Sequence, residues 1–338
     1  MSLSSEISEQ PDRIESLLSS QRKSVEKIAS AIQQRDVQYV FLAARGTSDN
    51  AGRYANYLLG ARNGLPLALA TPSLFTYYKR PPKLSNALVV GISQSGQSPD
   101  IVSVLQEGRR QGCLTLAITN EPGSPLAGSA DFLLDIQAGS EKAVAATKTY
   151  TAQLMSVAML SAALNGSEKI WDELGKVGGW MRSALEQADF IAQVAQRYRY
   201  MDRTVVLGRG FNYSTAFEWA LKLKELTYII AEPYSSADFA HGPIAMVDSG
   251  FPVLAVVPRG KVFQSMLVAL KGLKAGYGAE LVVISNDKRA LSLAQLPLTI
   301  PPDVPEWLSP LVGILPAQLF AYHLTLAKGY NAERPRGL

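Results

Sequence analysis

The chain has 338 residues, 47% hydrophobic and 18% charged, more core-forming sequence than one domain uses, which predicts two domains or one duplicated domain. Its 33 Lys and Arg against 29 Asp and Glu leave a net charge of +4 with no basic run to track a phosphate backbone, so no nucleic-acid partner is expected. One cysteine, Cys113, and two histidines, His241 and His323, exclude an internal disulfide, a cysteine-based zinc site and a histidine-rich metal site.

The amino terminus, MSLSSEISEQPDRIES, is polar and acidic and lacks the basic and apolar regions of a secretory signal, so a cytoplasmic location is expected. Residues 3–35 predict two polar helical segments interrupted near Pro11, and Val37–Ala43 predicts an apolar strand. From there strand, Gly/Ser turn and helix repeat. YVFLAARGTSDNAGRYANYLLG, ALVVGISQSGQSPDIVSVLQEGRRQG and CLTLAITN in the first half answer to TVVLGRGFNYSTAFEWALKLKE, FPVLAVVPRGKVFQSMLVALKGLKAGYG and AELVVISN in the second. Arg45-Gly46 aligns with Arg209-Gly210, Gly112 with Gly278 and Asn120 with Asn286, at displacements of 164, 166 and 166 residues. Two tandem α/β units follow, each a mostly parallel, flavodoxin-like sheet flanked by helices. The expected boundaries are an N-terminal helical segment at 1–35, a first unit at 36–165, a helical linker at 166–199 and a second unit at 200–338. Leu311–Ala327 is apolar but broken by Pro316, Gln318 and His323, so it predicts a buried helix, and no membrane partner is expected.

In LVVGISQSGQS, residues Ser93, Gln94, Ser95, Gly96 and Ser98 fall between a buried strand and a helix starting near Pro99-Asp100. A helix start offers unpaired N–H groups and partial positive charge, hydroxyls add donors, and a glycine admits close backbone approach, which together suit an anion. The bland alternative makes Ser98 an N-cap and the others turn formers. The second half argues against it, because AVVPRGKVFQS makes the same turn without the serines. Neither the Walker spacing nor GxGxxG occurs at this turn, so a small phosphorylated metabolite is expected rather than a nucleotide.

Glu218, Lys222 and Glu225 fall at i, i+4 and i+7 on one face of the helix after the second GRG turn. A carboxylate that removes and returns a carbon-bound proton beside an ammonium that steadies negative charge is the equipment of an aldose–ketose isomerase. Spacing alone fits a solvated helix face with a Glu218–Lys222 surface pair better, whereas the flanking Ala220, Leu221, Leu223 and Leu226 favour burial. His241, in DFAHGPIAM, is either a partly exposed loop residue or a group able to exchange a ring-oxygen proton near neutral pH. His323 and Cys113 read as core residues.

RGTS at 45–48, GISQSGQSPD at 91–100, AVAATKTYTAQL at 143–154, ALKLKELTYI at 220–229 and AHGP at 240–243 together resemble the sugar isomerase (SIS) family. The likeness is greatest to the isomerase half of glutamine–fructose-6-phosphate aminotransferases, glucosamine-6-phosphate deaminases and ketosamine-phosphate deglycases, and it covers residues from about 35 to 338. It implies a homodimer with shared active sites, a sugar phosphate held by Ser93, Gln94, Ser95 and Ser98 with Thr47 and Ser48 nearby, and Val144 and its turn at the substrate. It implies catalytic roles for Lys222, Glu225 and His241, with no metal or organic cofactor. This sequence departs from the family's synthases in having no amino-terminal cysteine domain and in stopping at Pro335-Arg336-Gly337-Leu338, short of the family's closing lysine. The expectation is therefore a glucosamine-6-phosphate deaminase yielding fructose 6-phosphate and ammonia. The alternatives are a ketosamine-phosphate deglycase, a synthase-type isomerase without its glutaminase, and a non-catalytic sugar-phosphate sensor.

Overall fold

The computed structural model describes residues 2–337. Helices α1 (Leu3–Ser8) and α2 (Gln10–Gln34) come first, then β1 (Tyr39–Ala43), α3 (Gly46–Asn63), β2 (Leu67–Leu69), α4 (Ser73–Thr76), β3 (Ala87–Ile92), α5 (Pro99–Arg110), β4 (Leu114–Thr119), α6 (Pro125–Gly128) and β5 (Phe132–Asp135). Four helices follow: α7 (Lys148–Asn165), α8 (Glu168–Leu174), α9 (Val177–Leu185) and α10 (Ala188–Ala195). The second series is β6 (Arg203–Gly208), α11 (Tyr213–Thr227), β7 (Ile230–Ser235), α12 (Ser236–Ala240), β8 (Pro252–Val256), α13 (Phe263–Tyr277), β9 (Glu280–Ser285), α14 (Lys288–Leu291), β10 (Leu296–Thr299) and α15 (Ser309–Ala327).

The strands form two five-stranded sheets, ordered β2-β1-β3-β4-β5 and β10-β9-β8-β6-β7, with every pairing parallel. Counted from its own first strand, each sheet runs 2-1-3-4-5, the flavodoxin-like order, so the repeat in the sequence is a repeat of topology. Strands β3 and β4 are buried at every position, as their unbroken apolar runs require when helices cover both faces. The repeated glycines, Gly112 and Gly278, have φ of +77° and +67°. Each turns the chain out of the helix before the fourth strand through left-handed backbone that glycine adopts without strain.

The chain divides into two compact units. One comprises Asp12–Ser140 and Lys148–Lys176 and carries the first sheet; the other comprises residues up to Pro11, Glu141–Thr147 and those from Val177 on, and carries the second. In the first, Val89, Ala117, Leu105 and Leu126 belong to the core on one face of the sheet. In the second, Leu207, Val253, Leu281 and Leu270 do the same. The stretch between the sheets is shared out, α8 falling in the first unit and α9 and α10 in the second.

The interruption expected near Pro11 falls at Glu9, and Pro11 occupies the first turn of α2, where its missing N–H has no helical partner to lose. Val37 lies outside β1, its N–H bonded to the Arg35 carbonyl at 2.7 Å in the turn that ends α2. The segment Glu306–Ala327 is long and apolar enough to cross a membrane, yet 78% of its most apolar window is buried inside the protein. Its helix α15 packs on α11, α9 and α10, with Phe320 edge-on to Trp219 at 5.9 Å.

Candidate active site

In the first sheet β1 and β3 are hydrogen-bonded neighbours whose connections depart to opposite sides, and the crevice at their carboxyl ends is the switch point where α/β sheets bind ligands. Thr47 and Ser48 stand in the first turn of α3, and residues 93–98 lead from β3 into α5. The backbone fixes the loop: Ser93 N–H donates to the Ile118 carbonyl at 3.1 Å, and the Gln94 carbonyl accepts from Asn120 N–H and Thr119 Oγ1, each at 3.1 Å. Gly96 has φ of +61°, and a Cβ there would lie 2.1 Å from Ser124 Oγ, so both the turn and the packing demand glycine.

Ser93 Oγ accepts from Gly96 N–H at 3.1 Å and Ser95 Oγ from Gln97 N–H at 3.3 Å, so each hydroxyl keeps its own proton to donate. Ser95 is exposed and Ser93 buried. Ser98 holds the N-cap position of α5, but its side chain makes no capping hydrogen bond. The turn thus uses the Ser93 and Ser95 oxygens as acceptors but leaves their protons, and the Ser98 hydroxyl, outside the cap and turn bonds. Ser48 is buried, with Oγ accepting from Gln153 Nε2 at 3.0 Å. The sequence reading missed a clamp beside the loop: Arg45, from the RGTS turn, pairs with Asp100 in the first turn of α5 at 2.7 Å.

The equivalent loop of the second sheet, after β8, is filled from within. Glu306 accepts Lys261 N–H at 2.8 Å and Val262 N–H at 3.3 Å, and a Cβ on Gly260 would lie 2.0 Å from the Glu306 carboxyl carbon. The backbone donors that would meet an anion here already hold a carboxylate. The acidic residue lies 45 positions downstream, which no local motif signals.

The second unit also carries the residues expected to do acid–base chemistry. On α11, Lys222 Nζ lies 2.6 Å from Glu225 Oε2 and 3.4 Å from Glu218 Oε1. Lys222 and Glu218 are buried and Glu225 is 23% exposed, so this face is no solvated surface pair. Burial pulls the Lys222 ammonium down, but the charges of Glu218 and Glu225 outweigh it and hold its pKa above the ordinary lysine value. The result is a buried cation, fixed in place, touching one carboxylate that solvent or a ligand can reach.

His241 follows α12 and is exposed. Glu225 lies in the last turn of α11, after which six-residue β7 carries the chain back roughly 20 Å before α12 begins. Within one chain, His241 is thus not brought to Lys222 and Glu225. Val144, 47% exposed, lies on the Glu141–Thr147 segment of the same unit. Cys113 is buried and donates to the Leu84 carbonyl at 2.8 Å, and burial pushes its thiol up. His323 stacks edge-on with Tyr322 on α15, and burial pulls its imidazole down. Both are the packing residues their sequence context indicates.

A model of the SIS domain matches residues 35–163 and 198–328. The chain is 33% identical over 338 residues to the isomerizing glutamine–fructose-6-phosphate aminotransferase of Pyrococcus horikoshii, covering 98% of this chain and 56% of that protein. Against the enzyme of the same name from Thermococcus kodakarensis it is 35% identical over 342 residues, with coverage of 98% and 56%. It thus spans little more than half the length of these curated relatives. The C-terminal domain of glucosamine-fructose-6-phosphate aminotransferase from Francisella tularensis superposes with a TM-score of 0.89 at 28% identity, over 98% of both chains. Tagatose-6-phosphate ketose/aldose isomerase from Escherichia coli shares the fold, with a TM-score of 0.86 at 22% identity over 98% of this chain and 95% of that one. Two matched domains, two sheets of one topology and a serine-lined switch-point loop converge: the chain belongs to the SIS family.

Proposed function

We infer that the protein is an amino-sugar-phosphate isomerase that converts glucosamine 6-phosphate and water to fructose 6-phosphate and ammonia. The carrying observation is the contact between buried Lys222 and partly open Glu225. Holding a phosphate requires neither group, whereas moving a carbonyl between C1 and C2 requires both a base and a nearby positive charge. Phosphate binding falls to the 93–98 loop, with Thr47 and Ser48 as further donors. Similarity to relatives named for fructose-6-phosphate amination supports a nitrogen-bearing sugar.

In the open-chain aldehyde, Glu225 takes the proton from C2 and the electron pair forms an enolamine whose C1 oxygen carries the growing charge. Lys222 stabilises that oxygen and supplies its proton. Glu225 returns its proton to C1 while the nitrogen lone pair forms the C2=N bond, and Lys222 recovers a proton from that nitrogen, giving the C2 imine beside a C1 hydroxyl. Water then adds at C2 and ammonia departs. His241 would open the sugar ring, supplied by a second copy of the chain, since topology holds it away from Glu225 of its own chain. A homodimer with shared sites and a cytoplasmic setting belong to the same reading.

Purified protein incubated with glucosamine 6-phosphate should release fructose 6-phosphate and ammonia in equal amounts. Release of an amine from a phosphorylated ketosamine instead would assign a deglycase, and tight binding of both sugars without turnover would assign a sensor. Mixing Glu225→Gln with His241→Ala subunits should restore part of the activity. No recovery despite verified subunit exchange would refute the shared site.

A further inference from the structure

Glu6 lies on α1, in the SEISEQP segment that contributes to none of the motifs above. Its side chain is fully buried, and its carboxylate accepts Lys142 N–H at 2.6 Å and Ala143 N–H at 3.3 Å, one on each oxygen. A charged acceptor holding two consecutive amides fixes the direction of the chain at that point. Glu141 Oε1 accepts Thr147 N–H at 2.8 Å and closes the other end. Two carboxylates thus stitch a segment without regular structure, leaving Val144 exposed between buried Ala143 and Ala145.

The helix that supplies Glu6 is itself anchored within the same unit. Leu3 N–H donates to both oxygens of Glu333 at 2.9 and 3.1 Å, Leu3 and Ile7 are buried, and Gln10 Nε2 donates to Gln318 Oε1 at 2.7 Å. A buried carboxylate is a poor choice for holding a helix down, because desolvation opposes it and an apolar side chain would pack at less cost. The two consecutive amides it receives give that placement a role in holding the segment. We propose that Glu6 is a positioning residue that sets the Glu141–Thr147 segment in the shape that receives the sugar. This rests on the assignment of Val144 and its turn to the substrate site.

The test compares wild type with Glu6→Gln, whose amide can accept one N–H but turns its own NH2 toward the other, and with Glu6→Asp, which keeps the charge and shortens the reach. Should Glu6→Gln fail to fold, Glu6→Asp supplies the same comparison. Backbone hydrogen exchange in the unliganded protein should accelerate at least tenfold at residues 142 and 143. KM for glucosamine 6-phosphate should rise about tenfold, the equivalent of one lost charged hydrogen bond, with kcat within threefold. Inhibition by inorganic phosphate should be unchanged, since it reads the 93–98 loop. Accelerated exchange with unaltered KM, or activity lost only in proportion to folded protein, would reduce Glu6 to a brace and overturn the proposal, as would unaltered exchange. If wild type neither binds nor turns over amino-sugar phosphates, the functional assignment and the substrate part of this proposal fall together, and exchange in the free variants alone decides whether Glu6 holds the turn.

Discussion

Lys222→Met removes the cation of the α11 cluster while keeping most of the side-chain volume. The ammonium and the Glu218 carboxylate are 1% and 0% exposed and 3.4 Å apart. At an effective dielectric constant of about 20, opposite charges at that separation attract by roughly 5 kcal/mol. Relief from burying the ammonium offsets part of the loss, so the expected destabilisation is about 3–5 kcal/mol, the range for breaking one side of a buried pair. Glu225, 23% exposed, contributes less because solvent screens it. Denaturant unfolding followed by far-UV circular dichroism measures the change. In the cycle with Glu218→Gln, the double variant should recover roughly 2 kcal/mol relative to Lys222→Met alone. A loss under about 1 kcal/mol, or a double variant no more stable than the single one, would show that Lys222 does not neutralise Glu218 and that the buried-cation argument fails.

Glu225→Gln should lower kcat by about 10²–10⁴ with KM within a few-fold, because the amide keeps the shape but takes no proton; steady-state kinetics on glucosamine 6-phosphate reads this. Gly96→Ala should cost about 1–2 kcal/mol for left-handed backbone and a further 1–3 kcal/mol for the overlap with Ser124. Calorimetric titration with fructose 6-phosphate should show weakened affinity in that variant, while intact affinity would move the phosphate site elsewhere. The Asp287 carboxyl is held far below the usual range, first by the Arg289 side chain and then by the Arg289 N–H and Arg259, against the opposing pull of burial. A depressed carboxylate adds stability that is complete above its unfolded pKa of about 3.9 and is lost as pH falls through the folded value. Asp287→Asn should therefore flatten the fall in urea midpoint from about pH 4 downward, and an unchanged acid limb would discount the cluster.

The two-sheet architecture was legible because parallel strands buried on both faces leave continuous apolar runs, and because the glycines after the third-strand helices recur where left-handed backbone recurs. The turn from β3 into α5 was legible as a Gly/Ser run between an apolar strand and a helix, and contrast with its own duplicate made it the candidate phosphate loop. Spacing on α11 placed Glu218, Lys222 and Glu225 on one face but could not say whether that face met water; the burial of Glu218 and Lys222, which only tertiary packing supplies, decides it. Contacts that join distant segments were not legible at all. Glu6 meets Lys142 across 136 positions and Glu306 meets Lys261 across 45, and a single carboxylate in a helix has no periodicity that announces its partner. The short Glu141–Thr147 excursion, which falls with the second unit rather than with its sequence neighbours, escaped for the same reason.

The carboxylate of Glu306 in the second sheet's loop has a thermodynamic consequence. A loop that awaits an external anion is stabilised by mass action in proportion to the logarithm of ligand concentration once the ligand exceeds its Kd. A loop whose acceptor is tethered to the same chain has its anion at fixed effective concentration, whatever the metabolite level. The two halves should then differ in their response to starvation and plenty. Sugar phosphate would slow local opening around residues 93–98 while opening around 257–262 kept a constant rate. The duplication would thus have yielded one half that reports the metabolite and another indifferent to it.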